Sequence, residues 1–480
     1  MSPDRSGPGL APVTEARGVA RRQARRLSAG LAVALGTSLA LALVVGLVAL
    51  DYRFSLEVHR LVKLLLGGGL GVAIILIPRF GFFLLPVATP FLSWVPRIPL
   101  PGVSILNLLL IGVFTSWALG RMFAREPIMR RTRLGGLLGG LLLLCGLSIV
   151  RGAAFPTGYR YDGVEAAWGL MRGAMTFAYY FLAFWMVRGP QDRRRLGWAI
   201  VLGLLAEALV TIAYGRNGRG GRAVGSFGQS NELGAFLAMF TAFAAAQLPA
   251  ARRWLARITL GASVVAGSVA VVLTVSRSAV IALVAALFLV TLRSSRMLTL
   301  ALLAVLVTSP LWAPDYLKER MTGTRVEAET SDDIIFEGSA QVRVDTWRAI
   351  LKVVSEHPLD GVGFSGLGYV LPAAGEKLGV EVKSSPHNTY LRFLGEMGVL
   401  GLTLFLALLW RCWTLAGEGM RLARDRAERQ LSLGLAAATL ATAISCAFGD
   451  RFFSPLIAGN FWMACAVVDD LVSERRAELA

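Results

Sequence analysis

Apolar stretches of about 17–24 residues recur along the chain, each long enough to cross a hydrocarbon layer of roughly 30 Å as a helix. Lipid offers no water to an unpaired backbone N–H or C=O, so a spanning segment must be a helix or a strand of a closed barrel. Barrel strands would alternate polar and apolar residues, and these runs do not. A mean hydropathy of +0.60 and a charged fraction of only 17% agree. The expected fold is an all-α polytopic membrane protein of about 12–14 transmembrane helices with one large extracytoplasmic loop. The spans fall near 30–50, 61–77, 80–95, 103–123, 134–150, 168–187, 196–213, 232–248, 258–275, 278–292, 297–311, 397–416, 431–448 and 455–471. Pro78, Pro86 and Pro90 interrupt the second and third.

A net charge of +18 would suggest nucleic acid in a soluble chain. Here the arginines gather in short loops between alternate spans, the positive-inside pattern rather than a polyanion groove. Placing residues 1–29, a basic tail with Arg21, Arg22, Arg25 and Arg26, in the cytoplasm puts most arginine clusters on that side. Residues 472–480 then form a second cytoplasmic tail, 30–311 and 397–471 the transmembrane helices, and 312–396 the large outside loop. That loop holds 13 acidic and 9 basic side chains, the opposite balance to the whole chain. Both termini are expected in the cytoplasm and the large loop on the opposite face of the membrane.

A polar segment of this size is costly to keep in such a protein without a task, and it reads as the lid of an active site. Residues 322–337 read as a mobile acidic turn. Residues 339–356 should be a helix, with Val342, Thr346, Ile350 and Val353 on one face. His357-Pro358 ends it, and Gly361-Val-Gly363-Phe-Ser-Gly366 reads as a flexible turn. His387 should precede a short helix over 388–396. The GxGxxG-like string has no preceding strand and is a weak dinucleotide signal.

Arginines that break the loop rule are informative. Arg216, Arg219 and Arg222 fall in an outside loop, and Arg277 in the tight turn Ser276-Arg277-Ser278-Ala279. Such residues are either snorkelling anchors or clamps for an anionic substrate, and a turn as tight as that of Arg277 favours the clamp. No HExxH, GxSxG or Walker pattern is present, and no metal site or cofactor is expected. Asp332-Asp333 and Asp469-Asp470 read as solvated charges. Cys145, Cys412, Cys446 and Cys465 read as small buried hydrophobes. What remains is arginine with histidine, a pairing suited to diphosphate leaving groups and hydroxyl nucleophiles.

The motifs then converge on one family. They are Arg222-Ala-Val-Gly225-Ser-Phe227-Gly-Gln-Ser-Asn231, Ser276-Arg277-Ser278-Ala279, Arg343-Val-Asp-Thr-Trp347 and His357-Pro358-Leu-Asp-Gly361-Val-Gly363. Pro386-His387-Asn388-Thr-Tyr390-Leu391 and Gly395-Glu396-Met-Gly398-Val-Leu-Gly401 follow. In this order they resemble the O-antigen ligase and polymerase family of bacterial envelope glycosyltransferases, with a GT-C-like membrane fold. The resemblance covers about residues 222–401 and implies a bacterial inner membrane with the large loop, 312–396, in the periplasm. It implies a donor glycan on undecaprenyl diphosphate, handed to a hydroxyl of a lipid A core or of a second lipid-linked glycan, with neither nucleotide sugar nor metal. It further implies His387 as catalytic base and Arg277 and Arg343 as catalytic arginines on the diphosphate. Arg222, Arg348, Asn231 and Asn388 are implied as substrate-binding residues, while His357 reads as structural.

Two other readings differ in kind. A polymerase would share the donor chemistry and extend another lipid-linked glycan. A multi-pass transporter or flippase would place charges at mid-membrane and show internal repeats; Glu207 is the chief mid-span acid, and no repeat is visible.

Overall fold

The computed structural model describes residues 77–94, 105–127, 129–154, 161–216, 218, 221–312, 325–327, 334–336 and 338–480. The basic tail and the span at 30–50 lie outside these residues, as does nearly all of 61–77. The chain forms two compact units, Met1–Phe80 and Gly81–Ala480. Only residues 77–80 of the first are described, so the account below concerns the second.

Helix α1 (Pro78–Ala88) is 11 residues long and gives way to a 3-10 segment over Thr89–Trp94. The single span expected at 80–95 is therefore not formed. Pro86 and Pro90 each lack an N–H, and 11 residues rise only about 17 Å. The other apolar runs become α2 (Ile105–Phe123), α3 (Gly135–Ala154), α4 (Gly163–Met186), α5 (Gly189–Tyr214), α6 (Ser230–Gln247), α7 (Trp254–Leu273), α8 (Arg277–Ser294) and α9 (Arg296–Trp312). After the polar segment come α12 (Thr389–Leu422), α13 (Arg426–Cys446) and α14 (Pro455–Leu479). Among the described residues, seven helices are long and apolar enough to cross a membrane: α3, α5, α6, α7, α8, α12 and α14. The chain is thus a multi-pass helical membrane protein.

α6 and α14 are the buried centre, whereas α3, α7 and α8 turn apolar faces outward. Leu143, Leu147, Val150, Trp254 and Val265 are exposed, as expected where lipid rather than water is the neighbour. Small residues allow close approach at the centre: a Cβ at Gly234 of α6 would lie 2.7 Å from that of Ala279 on α8. All four cysteines are buried and free.

The bundle has two chemically distinct ends. At one, Arg193 is 1% exposed and bonds Asp470 at 2.8 Å, Glu474 at 2.5 Å and Glu428 at 3.3 Å. Arg130 pairs with Asp470 at 3.0 Å, Arg475 with Glu428 at 2.7 Å, and Tyr180 donates to Asp469. Asp469 and Asp470 are thus buried and paired, not solvated as the sequence suggested. α14 runs on to Leu479, so the two acids sit within a helix, and arginines from the α2–α3 loop and α5 neutralise them. Loops that the Lys/Arg rule assigned to a single side meet here.

The polar segment caps the opposite end. The stretch expected as a mobile turn contains a two-stranded antiparallel hairpin, β1 (Arg325–Glu327) with β2 (Ile334–Phe336). The expected helix is α10 (Gly338–Glu356). Its Ala349, Ile350 and Val353 pack with Val362, Leu367 and Leu371 into a small core of the segment's own. Leu367 and Leu371 belong to α11 (Leu367–Leu378), which Gly368, Pro372 and Gly375 conceal in the sequence.

Candidate active site

His387 sits in the two-residue step from the α11–α12 loop into α12. Both flanks are held. The Trp347 indole of α10 donates to Pro386 O at 3.0 Å, and Asn388 caps α12 by accepting from Leu391 N–H at 3.1 Å. Between them His387 has φ +48°, a left-handed conformation that a non-glycine residue keeps only where its surroundings impose it. Lys383 N–H donates to Thr346 Oγ1 at 3.0 Å, a second tie between the loop and α10. The Arg343-to-Trp347 motif therefore positions the Pro386-His387-Asn388 motif physically.

His387 is half-buried among cations. Burial first, then Arg343, Lys383 and Arg451, push its imidazolium below the usual pKa range, with Asp450 pulling the other way. A neutral imidazole ringed by positive charge is ready to accept a proton beside an anion.

The α13–α14 turn supplies residues that sequence reasoning missed. Thr389 Oγ1 donates to Gly449 O at 2.7 Å and accepts from Arg451 N–H at 3.3 Å, docking this turn against the start of α12. Arg451 is 7% exposed and pairs with Glu232 of α6 at 3.5 Å. Asp450 binds Arg392, whose guanidinium also reaches Glu396 at 3.2 Å and lies over Phe364 and Phe453 at 5.3 and 5.6 Å. Phe393, Phe405, Phe452 and Trp462 continue that aromatic floor. No periodicity marks Asp450, Arg451 or Glu232; the one signal was three charges next to apolar spans.

Glu232 leads to the second group. Its neighbour Asn231 accepts at Oδ1 from Arg222 at 2.7 Å and from Ser276 Oγ at 3.0 Å, and Arg222 Nε donates to Thr274 O at 3.0 Å. The two earlier motifs are thereby one unit, with Arg277 the first residue of α8. Val275 in this turn has φ +50°. Glu207 supports the unit from below: its carboxylate accepts Ser226 N–H at 2.9 Å and Ser226 Oγ at 2.6 Å. The mid-span acid holds a loop in place.

The glycine motifs serve packing. Val362 N–H donates to Gly395 O at 3.0 Å and Gly363 N–H to Glu396 O at 2.9 Å, so the expected flexible turn is clamped onto α12. Gly398 breaks α12 with φ +65°, where a Cβ would lie 2.1 Å from Leu359 O. Arg348 stands apart from the site: exposed, and paired with Asp345 at 3.2 Å. His357 lies at the end of α10 beside Arg151, whose guanidinium is 3.4 Å from its Nδ1. The side-chain oxygen of Asn388 is occupied as a cap.

A multi-pass helical bundle, capped at one end by a polar segment that sets a histidine in the electrostatic field of Arg343, Lys383 and Arg451, defines a membrane-embedded protein with a cationic site at that end. Residues 262–406 match the family model described as O-antigen ligase. That match supports membership of the O-antigen ligase or polymerase family, a type whose substrates are lipid-linked glycans in a membrane. The matched stretch contains Arg277, Arg343, Arg348, His387 and Asn388, while Arg222 and Asn231 precede it and Arg451 follows. No curated protein matches the chain.

Proposed function

We propose that the chain is a metal-independent, inverting glycosyltransferase that moves a glycan from undecaprenyl diphosphate to a hydroxyl of a lipid A core. The observation that carries this reading is His387, half-buried and flanked by Arg343, Lys383 and Arg451. Arg222 and Arg277 share the same end of the bundle through the Arg451–Glu232 pair and Asn231. In the reaction the acceptor oxygen attacks the anomeric carbon opposite the diphosphate. A new C–O bond forms, the bond to the diphosphate oxygen breaks with its electron pair, and the acceptor proton passes to His387. The arginines take up the charge that grows on the leaving diphosphate, where fixed guanidinium groups in a water-poor setting are most effective.

Purified protein given lipid-linked glycan, with and without lipid A core, tests the reading. Transfer that requires the core supports it. Elongation of the lipid-linked glycan without core makes the chain a polymerase, and no transfer to either overturns it. The lid end is assigned to the periplasm. Cysteine at Lys352 should react with an impermeant thiol reagent applied outside and cysteine at Arg194 should not; the opposite pattern reverses the orientation.

A further inference from the structure

Away from the cationic cluster, a cleft of about 280 Å³ opens at the lid end between α4 and the start of α11. Its size falls near the lower end of small-ligand pockets, roughly 300–1,000 Å³. Glu165, Gly169 and Arg172 line it from α4, and Ser365 and Tyr369 from the other side. The three α4 residues follow i, i+4, i+7 spacing and form one stripe, with a glycine at the middle that leaves the floor empty. Glu165 and Arg172 are both exposed, about 10 Å apart along the helix axis.

The far wall is held firmly. Ser365 has φ +62°, another left-handed non-glycine residue. Its neighbour's carbonyl, Phe364 O, accepts from the Tyr161 hydroxyl at 2.6 Å. The Tyr161 and Tyr369 rings meet at 5.8 Å, and the Tyr369 hydroxyl donates to Glu165 at 3.4 Å. Ser365 N–H donates to the Glu396 carboxylate, and Arg392 lies over the Phe364 ring. The wall of the cleft is thus backed by the chain Glu396–Arg392–Asp450 that ends beside His387.

The composition selects the ligand. Glu165 repels an anion and Arg172 a cation, so neither a diphosphate nor a polyamine suits the cleft. A neutral polyol uses both groups: hydroxyls at opposite ends of a sugar ring donate to the carboxylate and accept from the guanidinium fork, and an aromatic ring covers the C–H face of a sugar. We infer that the cleft is a saccharide subsite that grips one neutral sugar unit of a glycan whose reacting end lies at His387. The inference rests on the glycan-transfer reading, and it adds residues that bind sugar rather than phosphate.

The test uses full-length protein in nanodiscs and the free oligosaccharide released from the lipid-linked donor by mild acid. Saturation-transfer NMR should show binding to the wild type and to His387→Ala. Gly169→Leu, which plugs the floor, and Glu165→Gln should each weaken binding at least 10-fold. Gly169→Ala serves as the folding control, because its Cβ would meet neighbours only at 3.7 and 3.9 Å, and it should bind like the wild type. Undecaprenyl diphosphate without glycan should bind all variants equally. In transfer assays Gly169→Leu and Glu165→Gln should raise KM for the donor and leave that for the acceptor unchanged, and an unchanged donor KM counts against the subsite. No binding by the wild type, or equal binding by Gly169→Leu, overturns the subsite, and neither result touches the transfer reading. Loss of transfer in His387→Ala with oligosaccharide binding retained supports both.

Discussion

The Trp347 indole N–H donates to Pro386 O at 3.0 Å, so a helix of the polar segment holds the residue immediately before His387. This bond and the Asn388 cap are what keep His387 in a left-handed conformation. Trp347→Phe retains the ring and removes one hydrogen bond, worth about 0.5–1.5 kcal/mol. Turnover should fall roughly 2–10-fold, with lipid-diphosphate affinity unchanged. Unchanged turnover in a steady-state transfer assay would show that the indole does not position the histidine.

Arg451 and Glu232 join the α13–α14 turn to α6, and both are largely withdrawn from solvent. Removing one partner of such a pair strands a charge, at a cost of about 3–5 kcal/mol. Arg451→Ala should lower the thermal unfolding midpoint markedly, and Arg451→Met with Glu232→Gln should recover much of the loss. A double-mutant cycle on purified protein measures this coupling, and additive losses would refute it.

The cations around His387 set the pH profile. A base must be neutral to work, and this imidazolium sits below the usual value of about 6.5. Activity should therefore be flat through neutral pH and fall on the acid side, with its midpoint below that value. Arg343→Gln removes one of the depressing charges and should move the midpoint upward. Asp450→Asn removes the one group that raises it and should move the midpoint down. Rate against pH for the three proteins checks both signs.

Much of the bundle was legible because lipid leaves the backbone no choice but helix: ten of the fourteen apolar runs fall wholly on described residues, each coincides with a helix, and seven of those helices are long and apolar enough to cross a membrane. The run at 80–95, described as far as Trp94, failed where prolines decide the geometry. His387, Arg343, Arg277, Arg222 and Asn231 were readable as motifs, and the structure brings their motifs to one end of the bundle. Arg348 did not follow, for a geometric reason: five residues from Arg343 is about 140° around a helix. Asp450, Arg451 and Glu232 were illegible because a turn's contacts depend on which elements meet, not on spacing. The buried state of Asp469 and Asp470 was hidden for the same reason, since their partners lie some 280–340 residues away in sequence. α11 was missed because Gly and Pro propensities were outvoted by packing of Leu367 and Leu371.

The arginines should differ from His387 in what they damage. Arg343→Lys keeps the charge and loses the planar fork, so lipid-diphosphate binding and turnover should both fall. Arg277→Ala should weaken both further. A filter-binding assay with undecaprenyl diphosphate, run beside transfer kinetics, separates the two effects.

The most direct test is His387→Ala, assayed separately for lipid-diphosphate binding and for glycan transfer. A positioned general base contributes about 10²–10⁴-fold, so transfer should fall by that order while donor binding stays near the wild-type value. Transfer at the wild-type rate would contradict the account and send the search for the base to Asp345 or Glu396.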